Sequence, residues 1–441
     1  MTAAGGNPPA ATGVGRRRTK GNPRFPADTT TRDRHPIAEV MADPSYRAFW
    51  LSSFLSSIIF GGARFAWVWV VLEATDSPAD AALAGGIALG LPNLLFSLPA
   101  GAYADRFDRR RMVLAASAFA TAVLVVTAGL AAADQLTLVA ALGTAFALGI
   151  TVSIVQPVQT AMVPQLVPPR LHLTGIALQN LSLQSSFFVG SLVTGALIDL
   201  TGAAATFLIL AALQAASGLF MLPIRFRASD STMAAGTAAA ARPRLRRSIG
   251  DGLSYTLRHQ PLRSLAIANF VIGLVSASTA ILLPEVARDE LGKGAFAASA
   301  LVAGIIPGMV ITTFWLASKP GLGGRGRLAI VGLFSVVPLM VISGLSKNYW
   351  LTLGNVLFWG VPMGFMATLL RQLTQEATSE EMMGRVMSVV HLFSRGTLPV
   401  ASLGLLFLTR SLPAHDGLVV VGCGVALIAT GIASTPAVRR L

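Results

Sequence analysis

The sequence carries little charge and almost no cysteine. Charged residues make up 12% of the 441 residues, whereas hydrophobic residues make up 53%. An ordinary soluble domain has about a quarter charged residues, so this composition excludes that class. The one cysteine, Cys423, leaves no intramolecular disulfide and no multi-cysteine metal site, and the five histidines show no zinc-binding spacing. We therefore expect neither a metal nor a cofactor.

Signatures of enzymes and of ATP-driven pumps are also missing. No glycine-rich phosphate loop follows a strand pattern, and no loop could hold a nucleotide-binding domain. No paired carboxylates and no Ser/His/Asp set occur at membrane depth, so we predict no catalytic residue and no enzyme activity.

Long apolar stretches recur along the chain instead. Each approaches the roughly 20 residues that a helix needs to cross about 30 Å of hydrocarbon. A helix satisfies its own backbone polar groups in lipid, and segments of this length favour helices over barrel strands. The predicted fold is all-α and polytopic, with twelve spans at 48–72, 82–104, 112–132, 136–160, 173–198, 203–224, 264–286, 296–317, 328–346, 350–370, 385–409 and 417–435.

The lysines and arginines predict the topology. With the N-terminus inside, 28 of the 34 fall in cytoplasmic segments and four in outer loops, while Arg64 and Arg395 lie within spans. The positive-inside rule then places both termini in the cytoplasm of a multi-pass protein of the plasma (inner) membrane. The net charge of +14 is explained by contact with anionic inner-leaflet lipids, and we expect no nucleic-acid partner.

Composition divides the chain into five regions. The first lacks apolar periodicity, and the central linker includes an amphipathic helix predicted at 245–262. The regions are a disordered basic cytoplasmic tail (1–45), an N-terminal six-helix half (46–224), a cytoplasmic linker (225–263), a C-terminal six-helix half (264–436) and a short tail (437–441).

A faint internal repeat relates the two halves. The turn at 105–111 has a weaker counterpart at 318–327, and 164–175 has a counterpart at 375–386. Two parallel six-span halves predict a substrate site between them near the bilayer midplane. They also predict alternating access by rocking of one half against the other.

The decapeptide at 101–110, Gly-Ala-Tyr-Ala-Asp-Arg-Phe-Asp-Arg-Arg, resembles the signature of the loop between helices 2 and 3 in the major facilitator superfamily. The segments 64–72, 249–255 and 384–388 resemble the branch that contains the enterobactin exporter and related drug and macrolide exporters. The resemblance implies a secondary exporter that uses an ion gradient. It also implies a conformational latch between this loop and helix 11, formed by Gly101, Asp105, Arg106, Arg109, Arg110, Gly384 and Arg385.

Two arginines lie inside predicted spans and are candidate substrate contacts. Arg64 lies about 24 Å into the first span and Arg395 about 15 Å into the eleventh. Intramembrane charge is expensive and usually functional. For Arg64 the alternative is a cation–π contact with Trp67 one turn away. Helices 1, 4, 7 and 10 line the cavity in the superfamily, so their polar and aromatic residues are further candidates. His391 is another, because it shares a helix face with Arg395. These candidates are Trp67, Gln156, Asn269, Asn355, Trp359 and His391.

The coupling ion stays open at this point. No carboxylate lies deep in any predicted span, and the fourth span lacks the arginine common in drug/proton antiporters. A proton and another cation are both possible couplers.

The leading hypothesis is a monomeric secondary transporter that exports a small amphiphilic or anionic organic compound, such as a drug, a siderophore or a metabolite. The alternatives are a non-transporting sensor or assembly factor on the same fold, and a flippase for a lipid-like substrate.

Overall fold

The structure, a computed structural model, describes residues 36–93, 95–96, 108–224, 253–317, 324–379 and 382–435, and all regular secondary structure in these ranges is helical. Short π-helical turns occur at Leu83–Ala88 and Val286–Glu290. The helices are α1 (Pro36–Ala42), α2 (Pro44–Thr75), α3 (Pro78–Ala82), α4 (Arg109–Ala132), α5 (Leu138–Leu166), α6 (His172–Met221), α7 (Gln260–Glu285), α8 (Ala295–Ala303), α9 (Ile305–Ala317), α10 (Arg325–Leu345), α11 (Tyr349–Glu376), α12 (Met383–Arg395), α13 (Thr397–Thr409) and α14 (Ala414–Ala433).

Nine helical segments in the described ranges are long and apolar enough to cross a membrane. The polytopic all-α fold is thereby confirmed, while the count of twelve spans stays a prediction. The second predicted span lies partly outside the described residues, and the eleventh is divided between α12 and α13. We call the two ends of the bundle outer and inner after the sides that the lysines and arginines predict for them.

The longest of these segments contains two of the predicted spans. Thr174–Met221 has 48 residues, which as one straight helix would measure about 72 Å, more than twice the hydrocarbon thickness. Gly202 interrupts it with a φ of 79°, a backbone conformation that glycine adopts without steric cost. The two parts return alongside α2, since Gly190 contacts Gly62 and Ser217 contacts Ser52. The chain therefore turns at Gly202, between the fifth and sixth predicted spans.

The predicted disordered tail, residues 1–45, wrongly includes a short helix at its C-terminal end. Residues 36–42 form α1, where Val40 is 1% exposed and Glu39 pairs with Arg170. Asp43 then caps α2, because its Oδ1 accepts from the backbone N–H of Ser45 at 2.8 Å. One valine and one cap are too few to produce a periodic sequence pattern, which is why composition alone missed them. Residues 1–35 lie outside the described residues.

Only the last part of the predicted amphipathic segment is described. Residues 253–258 are helical, and Leu262 packs with Val386 and Val390 of α12. This end of the linker therefore packs against the C-terminal half.

Equivalent close packing occurs in both predicted halves. A Cβ on Gly149 of α5 would lie 2.7 Å from the carbonyl oxygen of Leu89, and a Cβ on Gly360 of α11 would overlap the carbonyl of Ile305. These pairs join the second and fourth spans of each half, at nearly the offset that relates 164–175 to 375–386. Small residues let helix backbones approach closely in membranes. The contacts support the internal repeat.

Candidate functional site between the two halves

The two predicted halves approach each other closely at the outer end through two Gly–Ser contacts. A Cβ on Gly195 of α6 would lie 2.6 Å from the Cβ of Ser299 in α8. A Cβ on Gly86, in the π-helical turn after α3, would overlap the side chain of Ser402 in α13. The internal repeat relates the two contacts. The first joins the fifth predicted span to the eighth, and the second joins the second predicted span to the eleventh. Both leave no room for a methyl group.

A guanidinium group joins the same two halves closer to the outer surface. Arg288 follows α7, and its Nη1 donates to the carbonyl oxygen of Leu72 at 2.5 Å, in the last turn of α2. Its Nη2 lies 2.6 Å from Asp76 Oδ1, and its Nε lies 2.6 Å from Asp289 Oδ1. A cation is favoured at a helix C-terminus because of the helix dipole. The contact stabilises the closed outer end.

A carboxylate makes a reciprocal contact nearby. Asp199, near the end of the first part of α6, accepts from the backbone N–H groups of Ala295 at 2.8 Å and Phe296 at 2.9 Å. These are free donors of the first turn of α8, where an anion is favoured. Each half therefore satisfies a helix end of the other half at the outer end.

Two of the described apolar clusters lie at the inner end and belong to one half each. One contains Tyr46, Phe49 and Met162, and the other contains Leu262 and Val386. The two Gly–Ser contacts and the contacts of Arg288 and Asp199 all lie at the outer end.

Three arginines of the predicted latch are described, and two of them, Arg109 and Arg110, each donate to a carbonyl oxygen of the N-terminal half. Arg109 Nη1 donates to the carbonyl oxygen of Ala161 at 2.7 Å, and Arg110 Nη2 donates to that of Leu222. Arg385 in α12 contacts the sulfur of Met382 at 3.8 Å. Gly384 lies in α12 near the inner end. The other predicted latch residues, Gly101, Asp105 and Arg106, lie outside the described residues.

Arg64 and Trp359 present buried donors that have no partner among the described residues. For Arg64 these are Nε and Nη2, and for Trp359, which is fully buried, Nε1. Arg64 precedes the outer end of α2 by eleven residues, about 16 Å, and Trp359 lies ten residues into α11, about 15 Å. The two groups therefore lie at similar depth, one in each half. Buried polar groups are normally hydrogen-bonded, so these unpartnered donors are exceptions to the rule.

Three other predicted cavity residues use their polar atoms within the protein. Trp67 is 1% exposed, and its Nε1 donates to the carbonyl oxygen of Ala141 at 3.1 Å, while its ring packs edge-on against Phe207. Asn355 Nδ2 donates to the carbonyl oxygen of Leu339 at 2.7 Å, and Asn269 Nδ2 bonds within its own helix. Their described bonds are those of helix packing. Gln156 is half-buried in α5.

Arg395 and His391 lie in α12, and their side chains are outside what the structure describes. The valines at 386, 389 and 390 are all at most 5% exposed and form one face of this helix.

One buried ionisable residue was missed by the sequence analysis. Glu285 is the last residue of α7 and is 5% exposed. It sits at the edge of a span, where an exposed carboxylate is ordinary, and so the sequence carried no signal of its burial. Packing of α14 against the end of α7 covers it.

The fold and this interface define a helical membrane protein of the transporter type, built from two repeated bundles. A family model described as the Major Facilitator Superfamily matches residues 49–402. The chain belongs to the major facilitator superfamily, as the decapeptide at 101–110 predicted. No curated protein sequence matches the chain.

Solved structures with the same fold include transporters of different substrates. A bacterial homologue of the human lysosomal transporter Spinster, inward-facing and unoccupied, is 14% identical, with a TM-score of 0.64 over 92% of this chain and 97% of that one. The nucleoside transporter NupG is 12% identical, with a TM-score of 0.68 over 89% of this chain and 98% of that one. A POT family transporter in complex with 5-aminolevulinic acid is 13% identical, with a TM-score of 0.68 over 89% and 96%. At these identities the likeness shows the fold alone. Family and fold together indicate a transporter rather than an enzyme.

Proposed function

We propose that this protein is a secondary active transporter that exports a small amphiphilic or anionic organic compound by alternating access. The observation that carries the proposal is the buried guanidinium of Arg64, with two nitrogen atoms that have no partner among the described residues of a transporter fold. A desolvated cation attracts an anion far more strongly than a cation in water does.

The conformation supports alternating access. The close contacts at Gly195, Gly86 and Arg288 hold the outer end shut. In this state the latch arginines Arg109 and Arg110 bond within the N-terminal half. We propose that the loop at 101–110 contacts α12 when the inner end closes.

The chemistry of the substrate follows from the two unpartnered donors. Arg64 offers a charge-assisted hydrogen bond to a carboxylate or phosphate, and Trp359 Nε1 offers a neutral one from the other half. A substrate with an acceptor group and an apolar body would satisfy the donors of Arg64. Arg395 and His391 stay candidates for a further contact from α12.

Everted membrane vesicles from a host without its own drug pumps test this proposal. The substrates are a panel of amphiphilic carboxylates, each paired with its neutral methyl ester. We expect one or more carboxylates to accumulate in everted vesicles but not in right-side-out vesicles. Accumulation of no compound in either orientation would refute export of this substrate class.

Substitution of Arg64 tests the role of the charge. Loss of a charge-assisted hydrogen bond costs about 1.5–3 kcal/mol, so Arg64→Gln should lower carboxylate transport about tenfold or more and ester transport much less. Arg64→Lys should retain part of the carboxylate transport, since it keeps the charge but loses the planar fork. The control is Arg258→Gln, because Arg258 is exposed in the helical residues 253–258. Equal losses for both members of a pair would instead assign Arg64 to helix packing.

A further inference from the structure

Glu285 is a buried carboxyl group with an unsatisfied oxygen. Its residue is 5% exposed, and its Oε2 has no hydrogen-bond partner among the described residues. The backbone N–H of Ala414, in the first turn of α14, hydrogen-bonds the carboxyl group. Burial of an ionised carboxylate without a cation is costly, whereas the neutral acid is tolerated far better. The closed structure therefore favours a proton on Glu285.

The nearest cation is engaged elsewhere in this conformation. Arg288 lies one turn after Glu285, but its Nη1 and Nη2 bond to Leu72 and Asp76 at the end of α2, and its Nε bonds to Asp289. The carboxylate of Asp289 adds a negative charge close to Glu285. Glu285 therefore lacks the partner that would hold it ionised.

We propose that Glu285 is a proton-binding site that controls closure of the outer end. Its use in transport rests on the exporter proposed above, whereas its effect on conformation does not. When the halves separate at the outer end, Arg288 loses Leu72 and Asp76. Arg288 can then turn back to Glu285, and the carboxylate is stable. A proton taken from the outer side favours closure, and loss of that proton favours opening.

The direction of this linkage suits an exporter. An outer-open protein that has released its substrate would bind an external proton at Glu285 and close on the outer side. The proton would then move inwards as the substrate moves outwards, which is antiport.

Other ionisable groups surround Glu285 and must be separated from it experimentally. His415 is the main competitor, since its Nδ1 lies 2.8 Å from Glu290 Oε1. The charged and titratable residues on the segment of Glu285 itself are Arg288, Asp289 and Glu290. Those on the neighbouring elements are Asp76 after α2, Asp80 in α3, the exposed Arg410 after α13, and His415 and Asp416 in α14.

The test measures the outer end directly. Spin labels are placed on Gln135 and Lys347, exposed residues of two outer loops, as Gln135→Cys and Lys347→Cys in a Cys423→Ser background. Pulsed EPR distances are recorded in lipid nanodiscs without substrate between pH 5 and pH 8.5. One linked proton changes the ratio of open to closed protein by at most tenfold per pH unit. We expect the short distance to dominate at pH 5 and the long distance to gain as the pH rises.

Three variants decide whether Glu285 is the group that titrates. Glu285→Gln should keep the short distance at every pH, because the amide resembles the protonated acid in charge and shape. Glu285→Asp retains the carboxyl group and should retain a pH response, which also guards against a fold defect in the amide variant. His415→Gln should leave the wild-type response unchanged. A normal response in Glu285→Gln, or loss of the response in His415→Gln, would overturn the proposal.

The same samples separate this proposal from the transport proposal. If the pH response depends on Glu285 but no panel compound is transported, the proton site stands and export of that class fails. If carboxylates are exported but neither wild type nor Glu285→Gln changes its distances with pH, export stands and the proton site is refuted.

Discussion

Single methyl groups decide whether the outer end can close. At Gly195 and Gly86 a glycine of one half lies against a serine of the other, with less room than the roughly 3.5–4.0 Å that carbon atoms require. Small side chains at these positions let the two halves approach closely.

Gly195→Ala should shift the protein towards an open outer end. The added Cβ would lie 2.6 Å from Ser299 Cβ and 2.7 Å from the carbonyl oxygen of Ala295, and α8 must move away to accept it. The measurement is the distance between spin labels at Gln135 and Lys347. Gly404→Ala is the matched control, since a Cβ there meets no atom within 4 Å. An unchanged distance distribution in Gly195→Ala would show that the contact does not limit closure.

Helix ends carry the polar contacts across this interface. Arg288 binds the C-terminal turn of α2, and Asp199 binds the N-terminal turn of α8. Each charge is placed where the dipole of the opposite helix favours it, so the contacts are formed only when the halves are in register.

Asp199→Asn should weaken closure without unfolding α8. The amide keeps one acceptor oxygen but loses the charge and the second acceptor, at a cost of about 1 kcal/mol. This corresponds to about a fivefold change in the ratio of closed to open protein. The readout is cross-linking of the Gln135→Cys/Lys347→Cys pair by reagents of increasing length. The control is Asp134→Asn in the exposed loop after α4, and an equal shift in both variants would argue against the capping role.

The whole molecule is arranged as two repeated bundles closed at one end. In the described residues, the Gly–Ser contacts between the bundles are at the outer end, and two apolar clusters of the inner end stay within one bundle each. A rocking motion would exchange these contacts for others at the inner end. The loop at 101–107, which is outside the described residues, is predicted to supply them.

Asp105→Asn should slow the exchange between the two conformations while leaving substrate affinity within a few fold. The predicted role of Asp105 is to face α12 when the inner end is closed, away from the substrate. Transport rate and equilibrium binding of a transported carboxylate are compared in the same membranes. Asp108→Asn is the control, because asparagine caps α4 about as well as aspartate does. Loss of binding with an unchanged conformational population would contradict the latch.

The sequence by itself determined the class of protein, the family and the repeat. Apolar length, charge placement and the decapeptide at 101–110 are local properties, because each span must satisfy lipid on its own. The tertiary structure decided which residues face each other. Arg64 and Trp359 are left without partners among the described residues, Trp67 and Asn355 are used for packing, and Glu285 is buried although it lies at the edge of a span. Such pairings depend on how distant helices approach, and no local pattern encodes that distance.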